Sequence, residues 1–259
     1  MTWDPATYGQ FADERARPFF DLVGQVRVDD PRSIVDLGCG AGAGARTLAE
    51  RWPAARVVGV DNSEAMLACA RPLAIPGRLE FVHGQIEGWT ADRPVDLLVS
   101  NAACHWVSDH ERLIPRLAGA VGPRGALAIQ MPNNFRSPSH LAIYDTAAEP
   151  RWEARLAGVG LHRDSVLPLT TYAERLLGLG FEVNAWETTY VHVLRGEDPV
   201  LVWLRGTALR PILSALEPAE VDEFQRRLAA RLRLAYPATG DVTLLPMSRV
   251  FFVAKRSCC

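Results

Sequence analysis

Carboxylates at strand ends, glycines between them and a ring- and amide-rich stretch further on are spaced in this sequence so that a chemistry follows. The segment Ser33-Ile-Val-Asp-Leu-Gly-Cys-Gly-Ala-Gly-Ala-Gly44 carries a short β-branched run that reaches Asp36 and breaks into Gly38, Gly40 and Gly42. Arg56-Val-Val-Gly-Val-Asp61 follows at the spacing of one βαβ unit and also ends in a carboxylate. Glycines at a strand end let the backbone approach a ligand that a Cβ would hold off. An acidic residue closing the next strand suits a ribose diol. Together these features imply a nucleoside-bearing ligand.

The glycine pattern narrows the ligand. The nicotinamide fingerprint needs a third glycine where Ala43 stands, and a phosphate-cradling loop needs a lysine that does not follow Gly44. Asp36, two residues before the first glycine, would repel a pyrophosphate but attract an amino group and a sulfonium. The residues therefore point to S-adenosylmethionine, with Asp36, Gly38, Gly40, Gly42 and Asp61 as its holders. The competing reading is a tight strand–helix turn that binds no cofactor. After the third apolar run, His83-Gly-Gln-Ile-Glu87 brings Gln85 and the Ile86 amide to the expected position of an adenine edge, with His83 a surface or packed residue.

Ser100-Asn-Ala-Ala-Cys-His-Trp106, with His110 beyond it, closes the fourth apolar run. The carboxyl end of a central strand is where open α/β sheets take ligands. There the Asn101 carbonyl suits the methionine part of the donor, and Trp106 suits the rim of a cleft. Local packing at a helix start is the alternative for His105 and Trp106. No three of the six histidines share metal-ligand spacing and there is no C-x-x-C, so no metal is expected. Transfer of a sulfonium methyl is an in-line displacement. A carboxylate acceptor needs no general base, only orientation and desolvation. Arginines are the natural holders of a carboxylate-rich acceptor, and Arg136, Arg155, Arg163, Arg195, Arg205 and Arg210 are the candidates.

The elements that must position these residues are legible as an alternation. A helix over 11–27, broken or started by Pro18, precedes strands at Ile34–Leu37, Val57–Val60, Leu79–Val82, Val95–Ser100 and Ala126–Met131. Helices at Ala43–Arg51, from Ser63 and near Asp109–Val121 separate them, and Gly122-Pro-Arg-Gly125 reads as a turn. This is an α/β, doubly wound, mostly parallel seven-stranded sheet, completed by strands at 181–195 and 249–256 as an antiparallel pair. The expected organisation is one domain over 1–259. Residues 1–30 form a helical lid and 31–131 the main cofactor-binding half, while 132–180 and 196–248 form a helical cap over the cleft.

The chain has 259 residues, 48% hydrophobic and 22% charged, with a formal net charge of −2. That suits one ordinary globular domain with an insertion and gives no support for nucleic acid or a membrane surface as partner. No basic, apolar leader opens the sequence and no stretch is long and apolar enough to span a bilayer. Cysteines 39, 69, 104, 258 and 259 form no disulfide framework, which fits a reducing cytoplasm. A monomer is expected, with a weak homodimer as the alternative.

These residues resemble the class I S-adenosylmethionine-dependent methyltransferases and, within them, the bacterial trans-aconitate 2-methyltransferases over nearly the whole chain. The carrying segments include Trp3-Asp-Pro-Ala-Thr-Tyr8, Val35-Asp-Leu-Gly-Cys-Gly40, Arg51-Trp-Pro-Ala-Ala-Arg56, Ile129-Gln-Met-Pro-Asn-Asn134 and Trp203-Leu-Arg-Gly-Thr-Ala-Leu-Arg-Pro211. The resemblance implies methyl transfer to a carboxylate of trans-aconitate, a small tricarboxylate. It also implies that the helix bearing Tyr8 folds over the donor. Arg210 becomes the expected carboxylate clamp, supported by Asn134, Tyr190 and Trp106, with His110 grouped among the catalytic candidates and Arg205 given to fold or rim. Another small-molecule methyltransferase or a non-catalytic α/β binding module remains the rival. Gln85 departs from the aspartate usual in the family, and Ala43-Gly-Ala45 departs from its polar residues.

Overall fold

The computed structural model describes residues 12–159 and 165–257. Seven strands form one sheet: β1 (Ser33–Leu37), β2 (Arg56–Asp61), β3 (Leu79–His83), β4 (Val95–Asn101), β5 (Val121–Pro132), β6 (Phe181–Arg195) and β7 (Val242–Arg256). The helices are α1 (Ala12–Gly24), α2 (Ala43–Arg51), α3 (Glu64–Ala70), α4 (His110–Gly119), α5 (Pro138–Ala147), α6 (Pro150–Leu156), α7 (Leu169–Gly178), α8 (Pro199–Arg205), α9 (Arg210–Ala215) and α10 (Pro218–Ala235). The strand order is β3-β2-β1-β4-β5-β7-β6. Neighbours among the first five strands run parallel, and β7 runs antiparallel to β5. The doubly wound, mostly parallel sheet is thus the one read from the alternation.

The chain divides into two compact units. The first holds the described residues up to Pro132, Ser165–Thr188 and Arg249 to Ser257; the second holds the described residues of 133–164 with Thr189–Ser248. In the first unit, alternation along the strands sends Val35, Leu37, Val60, Leu98, Ile129 and Phe252 into one core with Leu113 and Leu117 of α4 and Tyr172 and Leu176 of α7. Residues 165–178, expected in the cap, therefore belong to the sheet unit. Their apolar stripe completes its second layer. The opposite face carries Asp36, Gly59, Val99 and Ala128 in one lateral row.

Two local features differ from the sequence reading, each for a physical reason. Pro18 sits inside α1, where it removes one amide donor without ending the helix. Strand β5 begins at Val121: Val95 pairs with Val121 but Leu97 pairs with Ala126. The expected Gly122–Gly125 turn is thus a bulge within the strand, with Arg124 at φ 61°. Helix α9 starts at Arg210, before Pro211, because a proline in the first helical turn costs no intrahelical hydrogen bond.

The second unit is mainly helical. Trp152 and Phe224 meet edge to face with centroids 5.0 Å apart, and α10 packs on α5 and α8. Tyr236 Oη accepts from the Ser139 amide at 3.0 Å. Arg233 makes a bidentate pair with Asp198 at 2.7 and 2.6 Å, and His192 stacks on Trp203 at 4.4 Å between centroids.

Candidate active site

The turn after β1 is fixed by the end of β2. The Gly38 and Cys39 amides both donate to the Val60 carbonyl, at 2.8 and 3.0 Å. The Gly40 amide donates to Asp61 Oδ2 at 2.9 Å, and the Ser63 amide donates to Oδ1 at 2.9 Å. Each Asp61 oxygen keeps one lone pair, so the carboxylate can take two further donors. Gly38 has φ 77°, and a Cβ there would lie 2.1 Å from the Ala103 Cβ, so only glycine fits. Gly40 also has positive φ, 54°, but nothing lies within 4 Å of where its Cβ would be. An open position above a bare backbone, beside a half-satisfied carboxylate, fits the ribose of a nucleoside donor.

Asp36 lies deeper. It is 3% exposed, and a Cβ on Gly44 would sit 3.2 Å from its Oδ2. Burial, reinforced by the Asp61 charge and only partly offset by the hydrogen bond from the Ala45 amide, pushes its carboxyl up to about 7. A cation placed beside such a buried acid favours its ionised form. The ammonium and sulfonium of S-adenosylmethionine are such cations.

Beyond β3, the Gly84 amide donates to the Asp61 carbonyl at 3.0 Å, which brings Gln85 and Ile86 alongside the end of β2. Gln85 is exposed and Ile86 half-buried. The Ile86 carbonyl accepts from Arg116 at 2.8 Å. His83 is exposed, with its ring against the Asn62 carbonyl at 3.1 Å.

At the end of β4, Ser100 Oγ donates to the Leu37 carbonyl at 2.8 Å and ties this strand to β1. Asn101 follows, half-buried, with Oδ1 enclosed and lacking a hydrogen-bond partner. Ala102 then takes φ 53°, its amide held by the Gln130 carbonyl at 2.9 Å. Trp106 is half-buried and its ring lies 4.8 Å from that of His105. His110 is buried, and both ring nitrogens are engaged: Nδ1 meets Tyr172 Oη at 2.5 Å and Nε2 meets the Cys104 carbonyl at 2.8 Å. Nε2 therefore carries the proton and Nδ1 accepts. Burial holds the imidazole below its ordinary range. Both nitrogens are spent on packing, so the structure makes His110 a neutral core link between α4 and α7, not the catalytic group expected from the sequence.

In the second unit, Asn134 is 3% exposed; its Oδ1 accepts from the Ser248 amide at 2.8 Å, while Nδ2 has no partner. Tyr190 is buried, and Arg210 is half-buried at the head of α9. Arg155 pairs with Glu217 at 2.8 Å, Arg195 with Asp241, and Arg205 with Gln225. Those three are exposed surface contacts. Arg136 is exposed as well. Tyr8 and Arg163 lie outside the described residues. Two buried polar residues escaped the sequence reading. Gln130 interrupts the apolar run of β5, and Arg249 precedes Val250-Phe-Phe-Val-Ala254 and pairs with Pro132. A lone polar residue within an apolar strand was the available signal for each.

Among the described residues, no group of three His, Cys, Asp or Glu is arranged to hold a metal, and no helix is long and apolar enough to cross a membrane.

The strand order, with a glycine turn clasped between two strand-end carboxylates, defines a class I methyltransferase. A methyltransferase-domain family model matches residues 34–125. Among solved structures, YjhP of E. coli superposes with TM-score 0.55 at 18% identity, over 98% of this chain and all of that one. A Haemonchus contortus phosphoethanolamine N-methyltransferase in complex with S-adenosyl-L-methionine gives 0.56 at 17%, over 97% and 56%. These share the fold. The trans-aconitate 2-methyltransferase of Streptomyces avermitilis is 46% identical over 98% of this chain and 97% of its own. That of Streptomyces coelicolor is 48% identical over 98% and 87%. The chain belongs to the trans-aconitate 2-methyltransferase family.

Proposed function

We propose that the protein transfers the methyl group of S-adenosylmethionine to a carboxylate of trans-aconitate, giving the monomethyl ester and S-adenosylhomocysteine. The observation that carries this reading is the full-length identity of 46–48% to the Streptomyces trans-aconitate 2-methyltransferases, joined to a strand-end site suited to a cationic nucleoside. The donor supplies a sulfonium-activated methyl. Asp61 accepts the ribose hydroxyls while Gly40 leaves its backbone bare beneath them. Asp36 balances the donor's positive charge, Gln85 and the Ile86 amide edge the adenine, and Asn101 meets the methionine part. Tyr8 is assigned to the cover of the donor.

Arg210, with Asn134 and Tyr190, holds the carboxylates that do not react. An acid stripped of water must exchange its hydration for such partners, or desolvation opposes binding. Trp106 is assigned to acceptor orientation. A carboxylate nucleophile at neutral pH is already ionised, so no residue has to remove a proton. Orientation and exclusion of water supply the rate. This agrees with a histidine, His110, that is neutral and committed to packing.

Free thiols at Cys39, Cys69 and Cys104 support a reducing, cytoplasmic setting, and the protein is taken to act as a monomer. A panel of small di- and tricarboxylic acids with radiolabelled donor tests the reading. Base-labile label on trans-aconitate above all other acids is expected. Preferred labelling of another acid reassigns the acceptor, and base-stable label or none overturns carboxyl methylation.

A further inference from the structure

The face of the sheet that bears Asp36 continues one step toward the carboxyl ends of the strands. Asp61 stands two residues beyond Gly59, and Asn101 two beyond Val99; Gln130 pairs with Asn101 in the parallel register and with Phe251 in the antiparallel one. The period of two puts these side chains on one face. Gln130 is 0% exposed. Both its Oε1 and its Nε2 are without a partner, and so is Asn101 Oδ1 beside it. On the other side of Gln130, Phe251 stacks on Trp186 with centroids 4.9 Å apart and planes at 8°, so that neighbour is an aromatic wall. A fully buried amide with neither end satisfied costs stability in the protein alone. The backbone of the same residue shapes the site, because its carbonyl holds the Ala102 turn.

The unsatisfied atoms specify a ligand. Two are acceptors and one is a donor, so the missing group must bring at least two N–H or O–H bonds and one acceptor oxygen. A tricarboxylate brings acceptors alone and would leave both amide oxygens unpaired. A zwitterionic amino acid brings an ammonium with three N–H bonds and a carboxylate, which matches both requirements. Resting on the donor reading above, we propose that Gln130, together with Asn101, is a binding residue for the amino-acid end of the methyl donor. Its amide oxygen accepts from the ammonium and its NH2 donates to the carboxylate.

The test compares two probes by calorimetry: S-adenosylhomocysteine, which carries the amino-acid end, and 5′-methylthioadenosine, which lacks it. Gln130→Met keeps length and volume but removes both polar atoms. It is expected to weaken S-adenosylhomocysteine ten- to a hundredfold, about 1.4–2.7 kcal/mol, to leave 5′-methylthioadenosine unchanged, and to raise the melting temperature of the ligand-free protein or leave it unaltered. Asn101→Ala is expected to show the same split between probes and carries the test if Gln130→Met does not fold. Equal loss for both probes, or a lowered melting temperature with unchanged S-adenosylhomocysteine affinity, would show that the two amides serve the fold, and the proposal would fall. If the wild-type protein binds neither probe, it is the donor reading itself that fails.

Discussion

The Gly40 amide and the Asp61 carboxylate are joined by a 2.9 Å hydrogen bond, which makes the glycine turn and the end of β2 one mechanical piece. The same carboxylate caps Ser63 at 2.9 Å through its other oxygen. Asp61 thus shapes the site before any ligand is bound, and its remaining lone pairs face the ribose in the proposed complex.

Removing that carboxylate should cost twice. Asp61→Ala loses the charge-assisted bonds to the ribose and frees two backbone amides. A loss of about 1.5–3 kcal/mol in S-adenosylhomocysteine affinity is expected, together with a lower melting temperature. Titration calorimetry and thermal melting check both, and unchanged affinity would remove Asp61 from the site.

Two glycines should separate fold from binding. Gly38→Ala drives a methyl to within 2.1 Å of the Ala103 Cβ and should destabilise the protein by about 2 kcal/mol or more. Gly40→Ala meets open space and should cost only about 1–2 kcal/mol for its left-handed backbone, yet block the donor. If Gly40→Ala binds S-adenosylhomocysteine normally, the open position is not where the donor lies.

Asp36 sets a pH dependence of definite sign. Its carboxyl is raised from 3.8 to about 7 by burial first and the Asp61 charge second. Between about pH 4 and 7 the folded protein holds a proton that the unfolded chain has lost, so its contribution to stability falls as pH rises through this window. Donor binding prefers the ionised form, so affinity should rise with pH, by up to tenfold per unit below about 7, and level off above it. Asp36→Asn should flatten the stability slope and abolish the affinity gain. A flat affinity profile for the wild type from pH 5.5 to 8.5 would contradict this role.

His110 should behave as a core residue. His110→Ala leaves the Tyr172 hydroxyl without its acceptor and opens a cavity, at a cost of about 2–4 kcal/mol. Donor affinity should hold at temperatures where the variant is folded. A variant of normal stability with lost turnover would return His110 to catalysis.

What could be read in the sequence was what depends on neighbours along the chain. Asp36 and Asp61 end apolar strands, and the glycines between them announce a turn that needs positive φ. Ser63 and Asp109 precede helices they cap through Met66 and Arg112. What could not be read depends on register across the sheet. Gln130 gains meaning only from standing beside Asn101 and Phe251, and α7 joins the sheet unit because Tyr172 and Leu176 find partners distant in sequence. By residue type alone Arg155, Arg195 and Arg205 could not be told from Arg210, because their partners Glu217, Asp241 and Gln225 lie far along the chain.

The most direct test is to incubate the protein with trans-aconitate and S-adenosylmethionine carrying a 13C methyl group, and to read the product by NMR and mass spectrometry. A single labelled methyl-ester resonance on a monoester is expected, formed in step with S-adenosylhomocysteine and lost on mild base treatment. No label on trans-aconitate, while the same sample binds S-adenosylhomocysteine, would contradict the assignment of this acceptor.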